Sequence, residues 1–281
     1  MRPTTSVIIP TYNRGWIVKE AIDSVLSQKD ESLELLVVDD GSSDNTPEIL
    51  SSYGNKIRVI RQDNRGVSAA RNRGIEASFG DYVALLDSDD LWLPGKLSAQ
   101  MKFFTNNPGA LICQTEELWI RNGRRVNPKQ KHKKRSGMIF EPSLSLCLVS
   151  PSAVMVKKGL LLEVGGFDEH LTACEDYDLW LRIGCRHPIH LIDKALVIKR
   201  GGHPDQLSSA AGLDRFRIVS LVKILENGSL TPAQFSAASR TLKEKSALYA
   251  NGCRRRQRHH EADYYTHLAA KYTLHHSGDF P

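Results

Sequence analysis

The chain has 281 residues, with 38 Lys and Arg against 32 Asp and Glu, a formal net charge of +6. That length allows one large domain or two smaller ones with a substantial core, and the mild basic excess suits a phosphate-bearing partner without pointing to nucleic acid, which is not expected. The five cysteines, at 113, 147, 174, 185 and 253, are odd in number, widely spaced and without a CxxC, which argues against a disulfide framework or zinc knuckle and for a reducing compartment.

The first apolar run is too short for a signal peptide, and no stretch reaches the ~18 apolar residues of a membrane span. A cytoplasmic protein is expected, with peripheral contact on the inner face of a membrane left open. In chain order, "SVIIP" (6–10) predicts a short strand stopped by Pro10. "WIVKEAIDSVLSQ" (16–28) has helical apolar spacing. "LELLVVDD" (33–40) predicts a buried strand ending in acid. "TPEILSSYG" (46–54) starts like a helix, with Thr46 as N-cap and Pro47 at its first position. "IRVIRQ" (57–62) predicts a third strand, "VSAARNRGIEASFG" (67–80) a helix, and "YVALLD" (82–87) a fourth strand. Strands that read as continuous apolar runs and alternate with helices predict an α/β fold. Its sheet is Rossmann-like, mostly parallel and flanked by helices, and ligands bind beyond the strand carboxyl ends.

Beyond residue 110 the pattern loosens. "ALICQTEELWI" (110–120) reads as strand. "RNGRRVNPKQKHKKRSG" (121–137) is strongly basic, lacks apolar periodicity and reads as a loop. Residues 151–171 read as strand, helix and glycine turn, 174–186 as a helix with acids in its first turn, and 189–200 as strand. From 213 the chain reads as three helices, 213–227, 231–252 and 257–274, the last two like a single tetratricopeptide-type hairpin.

Several short motifs carry chemistry, and each has a plainer reading. "DSD" (87–89) points two carboxylates into one small volume, an arrangement that Mg²⁺ or Mn²⁺ relieves. The plainer reading is a turn in which Asp90 caps a helix in "LWLPGKL". Asp39 and Asp40 sit where a base N–H or ribose hydroxyl could donate, or where a turn needs them. Arg71 offers a fork for a diphosphate or base carbonyl, or is a surface arginine. Glu175, Asp176 and Asp178 offer a general base, or complement a helix dipole. His203 offers a metal or phosphate contact, or is an ordinary loop histidine.

Taken together, "VIIPTYNR" (7–14), "VVDDGSSDNT" (37–46), "SAARNRG" (68–74), "LLDSDD" (85–90), "GGFDE" (165–169), "EDYDLWLR" (175–182) and "HPDQLS" (203–208) resemble the family 2 inverting glycosyltransferases of GT-A fold. The resemblance covers roughly residues 5–208. It implies a nucleotide-sugar-binding half to about residue 110, an acceptor and catalytic-base half over 111–208, and a helical extension over 209–281.

By similarity, Pro10 and Tyr12 line the nucleotide pocket, Asp40 holds the base with Asp39 behind it, and Arg71 contacts the base or diphosphate. Asp87 and Ser88 lie on the ribose and sugar side. Asp89 binds a divalent cation, with His203 completing the metal or diphosphate site. Asp176 is the catalytic base with Glu175 as the alternative, and Phe167 and Asp168 form the acceptor side. Trp180 reads as core. The Q-x-x-R-W of many processive members is absent, so transfer of one sugar is expected. UDP is the default donor nucleotide because it is common in the family, and the acceptor is expected to be a surface glycan or a lipid-linked hydroxyl. The basic residues of 121–135 offer contact to an anionic acceptor or membrane, or form a solvated loop. Nucleotidyl transfer is an alternative, although "IPTYNRG" lacks its Gly-rich loop. A scaffold or polyanion-binding protein is another, and it would need neither Asp89 nor Asp176.

Overall fold

The computed structural model describes residues 4–29, 32–203, 206, 212–227 and 229–272. The amino-terminal part runs β1 (Thr5–Thr11), α1 (Val18–Leu26), β2 (Leu33–Asp39), α2 (Thr46–Ser51), β3 (Arg58–Arg61), α3 (Val67–Ala77) and β4 (Tyr82–Leu85). It continues through β5 (Leu91–Trp92), α4 (Lys96–Asn106), β6 (Ile112–Arg121), β7 (Arg124–Val126), α5 (Phe140–Ser143), β8 (Val154–Lys157), α6 (Lys158–Glu163), α7 (Glu175–Gly184) and β9 (His190–Gly201). Three helices close the described chain: α8 (Asp214–Glu226), α9 (Pro232–Arg255) and α10 (His259–Lys271).

Nine strands form one sheet in the order β3-β2-β1-β4-β8-β6-β9-β5, with β7 paired to β6. β3, β2, β1 and β4 are parallel. β8 then runs antiparallel to both β4 and β6, and β9 returns parallel to β6. The sheet is therefore mixed rather than mostly parallel: its amino-terminal half follows the expected pattern and its carboxyl-terminal half does not. β1 is buried along its whole length because helices cover both faces of the sheet. Alternate residues feed two cores. Val7, Ile9, Val37 and Ala84 face one side, and Ile8, Val38, Val83 and Leu85 the other. α3 packs tightly on β1: a Cβ at Gly74 would stand 2.5 Å from Ile8 Cγ2, so only glycine fits there.

Three local expectations change. Thr46 is not the cap of α2; Asn45 takes that position, and Thr46 Oγ1 accepts from Arg14 N (3.0 Å), tying the loop after β1 to α2. Asp90 does not cap a helix either. Residues 91–92 pair with β9 instead, α4 starts at Lys96 after Gly95 in a left-handed conformation (φ 86°), and both Asp90 oxygens accept hydrogen bonds from distant segments. The segment after β6 is not a plain loop, because β7 folds back on β6 as a hairpin.

The helical extension does not stand apart from residues before 208. A third core joins Phe140 of α5, Leu144 just after it, and Tyr177 and Leu181 of α7 to Ile218, Leu221, Leu242 and Ala250 of α8 and α9. The expected boundary at 208 and most of "HPDQLS" lie outside the described residues.

Candidate active site

β2, β1 and β4 are neighbours and parallel, so their carboxyl ends open at one edge. Pro10 is buried in the sheet there, Tyr12 is exposed, and Asp39, Asp40 and Ser88 are buried close by. Asp40 Oδ1 accepts from Gln62 Nε2 (2.7 Å) and Arg65 N (3.0 Å), and Oδ2 from Gly66 N (2.8 Å). It thus fastens the 62–66 turn that leads into α3. Asp39 Oδ1 accepts from Ser42 N (2.9 Å), and its other oxygen lies 3.7 Å from Arg61 Nε. A cleft of about 700 Å³ lies between α3 and the 165–170 turn, lined by Asn72, Phe167, Asp168, His170, Arg182 and Lys223. A second, of about 580 Å³, is lined by Gly41 and residues 61–64. The sequence motifs do not single out that second wall, since only its fold onto Asp40 brings it to the strand ends.

Arg71 is the junction of the site. Its guanidinium is buried and donates to Asp87 Oδ1 (2.7 Å) and Glu175 Oε1 (2.6 Å), joining the end of β4 to the start of α7. It also lies over the Phe167 ring at 5.0 Å. A buried guanidinium needs such partners, and these two carboxylates hold it charged despite the cost of burial. Glu175 is buried, and burial raises its carboxyl above the ordinary range; Arg71 works against that rise and Asp176 adds to it.

Asp176 is the more open of the pair. Its Oδ1 accepts from Tyr177 N (2.7 Å), and Cys147 Sγ lies 3.6 Å from Oδ2. α7 begins after Cys174, a non-glycine residue at φ 59°, and that sharp entry sets its first turn against Arg71.

The 165–169 turn is held from both sides. Asn72 donates to Phe167 O (2.9 Å) and accepts from Phe167 N (2.9 Å). Asp168 pairs with Lys223 Nζ of α8 (2.5 Å), which also reaches Asp178 Oδ1 (2.8 Å). Trp180 is core, edge-on to Phe167 with centroids 6.4 Å apart.

Asp89 Oδ2 lies 2.7 Å from His203 Nε2, so residues 114 apart in sequence meet. Among the described residues no third His, Cys, Asp or Glu joins them as a metal cluster. One carboxylate oxygen and one imidazole nitrogen are ligand types that a divalent cation keeping waters and substrate phosphate oxygens can take.

Three partners in this region carry no motif. Ser152 Oγ donates to Asp90 Oδ2 (2.6 Å) and accepts from Asp87 N (3.1 Å). Arg200 donates its backbone N–H to Asp90 Oδ1 (2.8 Å) and its Nε to the Asp89 carbonyl. Burial works against the Lys199 ammonium, but Glu117, Asp90, Asp87 and Asp176 outweigh it and lift it above its ordinary range. Burial likewise pushes the Asp90 carboxyl well up, with Asp89 adding to it. The only sequence signal for Lys199 and Arg200 is a basic pair closing a strand just before Gly201 and Gly202.

The family model for "Glycosyl transferase family 2" matches residues 6–165, and the chain belongs to that family. An uncharacterised glycosyltransferase of Rickettsia felis is 35% identical over 211 residues, covering 73% of this chain. The match spans only 35% of that relative. S. aureus TarS 1–349, solved in complex with UDP-GlcNAc, superposes with a TM-score of 0.68 at 20% identity, covering 99% of this chain and 94% of that one. The mannosyltransferase PcManGT from Pyrobaculum calidifontis, in complex with GDP-Man and Mn²⁺, gives 0.58 at 19% identity, covering 99% and 89%. The fold is GT-A. No helix among the described residues is long and apolar enough to cross a membrane.

Proposed function

We propose that this enzyme moves one sugar from a nucleotide-sugar, with UDP as the default nucleotide, to a hydroxyl of a surface-glycan or lipid-linked acceptor, with inversion at the anomeric carbon. The observation that supports this reading is the bridge Asp87–Arg71–Glu175, which ties the strand-end turn carrying Asp89 to the helix start carrying Asp176. The base would lie against the 61–64 wall, with Asp40 holding that wall in place and Asp39, Pro10 and Tyr12 beside it. Asp87 and Ser88 would face the ribose and sugar.

The acceptor hydroxyl is too weak an acid to attack unaided. Asp176 would take its proton as the new oxygen–carbon bond forms at the anomeric centre. The bond to the diphosphate breaks in the same displacement, and its electron pair leaves with the nucleotide. Attack from the face opposite the leaving group inverts the centre. Glu175 is committed to Arg71, which leaves Asp176 as the base and Glu175 as its support. Phe167 and Asp168, fixed by Asn72 and Lys223, would orient the acceptor. Asp89 and His203 would hold Mn²⁺ or Mg²⁺, which when bound supplies neutralising charge for the leaving diphosphate.

Calorimetric titration of UDP, GDP and dTDP with and without Mn²⁺, on wild type and Asp89→Ala, tests the reading. Binding of one nucleotide that depends on Mn²⁺ and is lost in the variant is the expected result. Absence of binding by all three, with and without the ion, would sink it.

A further inference from the structure

Residues 121–135 carry eight Lys and Arg and no Asp or Glu. Seven of the eight are exposed, Lys134 being the exception. Such a run is usually a loosely solvated loop, but here it is pinned along its length. Arg124 pairs with Arg121 across the β6–β7 hairpin. The His132 ring meets the edge of Trp119 with centroids 5.2 Å apart. Lys134 Nζ donates to Glu117 Oε1 (3.0 Å) inside the fold. Ser136 Oγ accepts from Leu191 N (3.0 Å), and Gly137 and Ile189 exchange backbone hydrogen bonds of 3.0 and 2.9 Å.

Seven like charges are thus held on a fixed shelf, where they repel one another. Their field is felt at His132: burial, followed by Lys131, Lys199 and Lys129, keeps its imidazole below the ordinary range. An anionic partner would relieve that repulsion directly.

The shelf begins at the candidate site. Arg121 pairs with Gly201, and Asn122 N donates to Gly201 O (3.1 Å), two residues before His203. The site holds the carboxylates Asp87 and Asp89, and the shelf offers cations on the approach to them. Its exposed large apolar side chains are few, Val126 (36%) with Met138 (55%) just beyond, and none is aromatic. A surface built to enter a bilayer carries more apolar anchors than this.

We propose that the shelf docks a polyanionic glycan, a chain bearing repeated phosphate or carboxylate groups, and that such a polymer is the sugar acceptor. This rests on the transferase reading above. Long-chain inorganic polyphosphate serves as the probe and uncharged dextran as the control, with wild type compared to the variant Arg124→Glu/Arg125→Glu/Lys129→Glu/Lys131→Glu. All four side chains are exposed, and nucleotide titration on the same sample checks that the donor site is intact.

Wild type is expected to bind polyphosphate but not dextran, weakening about tenfold or more between about 50 and about 200 mM salt. The variant is expected to bind it at least about tenfold more weakly, with nucleotide affinity unchanged. Equal polyphosphate affinity in the two proteins, or none in wild type, would overturn the proposal. So would a loss confined to phosphatidylglycerol vesicles, which would make the shelf a membrane contact. Failure of wild type to bind any nucleotide would strike the transferase reading instead, and is read separately from the polyphosphate result.

Discussion

Glu175 and Asp176 are adjacent in the chain and unlike in their surroundings. Glu175 is buried against Arg71, whereas Asp176 is half-buried at the open end of α7. Their substitutions should therefore separate. Asp176→Asn is expected to lower turnover by about 10²–10⁴-fold, the usual worth of a general base, while nucleotide affinity and the urea midpoint stay near wild type. Glu175→Gln is expected to lower the urea midpoint, because Arg71 keeps only one charged partner in a buried place. Arg71→Met should cost more, about 3–5 kcal/mol, since it leaves two carboxylates without their shared cation. A Glu175→Gln enzyme with wild-type stability and no turnover, beside an active Asp176→Asn enzyme, would reverse the assignment. The residue types at these positions were legible in the sequence. Their unequal burial was not, because it depends on which carboxylate α3 covers, and α3 lies about a hundred residues upstream.

At the scale of elements, the parts written in local periodicity were readable and the parts held by distant partners were not. β1, β2, β4 and α1 announce themselves by apolar runs or helical spacing. β5 has two residues and exists because β9, more than a hundred residues later, pairs with it; from the sequence alone Asp90 therefore looks like a helix cap. The basic segment has no apolar period at all, and its order comes from distant partners, among them the one buried pair Lys134–Glu117.

That pair makes a pH prediction. Burial would raise the Glu117 carboxyl, but Lys134 and Lys199 outweigh it and hold it at about 2, below its ordinary 4.5. A folded value below the unfolded one adds stability that is complete above about pH 4.5 and is lost as pH falls toward 2. That depression corresponds to a contribution on the order of 3 kcal/mol. Chemical denaturation from pH 7 down to 2.5 should show Glu117→Gln less stable at neutral pH, with the two curves converging in acid. Parallel curves would mean that the pair does not fasten the shelf.

For the whole molecule, the question is whether residues after 208 form a module of their own. By helical periodicity and the end of the family resemblance they read as a helical extension. The packing says that they do not stand alone: α7, which carries Glu175 and Asp176, is covered on its outer side by α8 and α9 through Tyr177, Leu181 and Ile218. Lys223 of α8 reaches Asp168 and Asp178 together, so the extension also fixes the 165–169 turn. Ending the chain at Gly212 would expose Phe140, Leu144, Tyr177 and Leu181. At about 1.5–3 kcal/mol for each large apolar side chain, the loss is roughly 6–12 kcal/mol, as large as the whole stability of a typical domain. The shortened chain is expected to aggregate, or to lose its near-ultraviolet circular dichroism and its nucleotide binding together. Lys223→Met in the full chain should be milder: folded and binding nucleotide as wild type does, but slower in transfer, with Lys223→Arg restoring most of the rate. A monodisperse chain of residues 1–212 that binds nucleotide would show that the extension is an added module, and that α7 is positioned by the sheet alone.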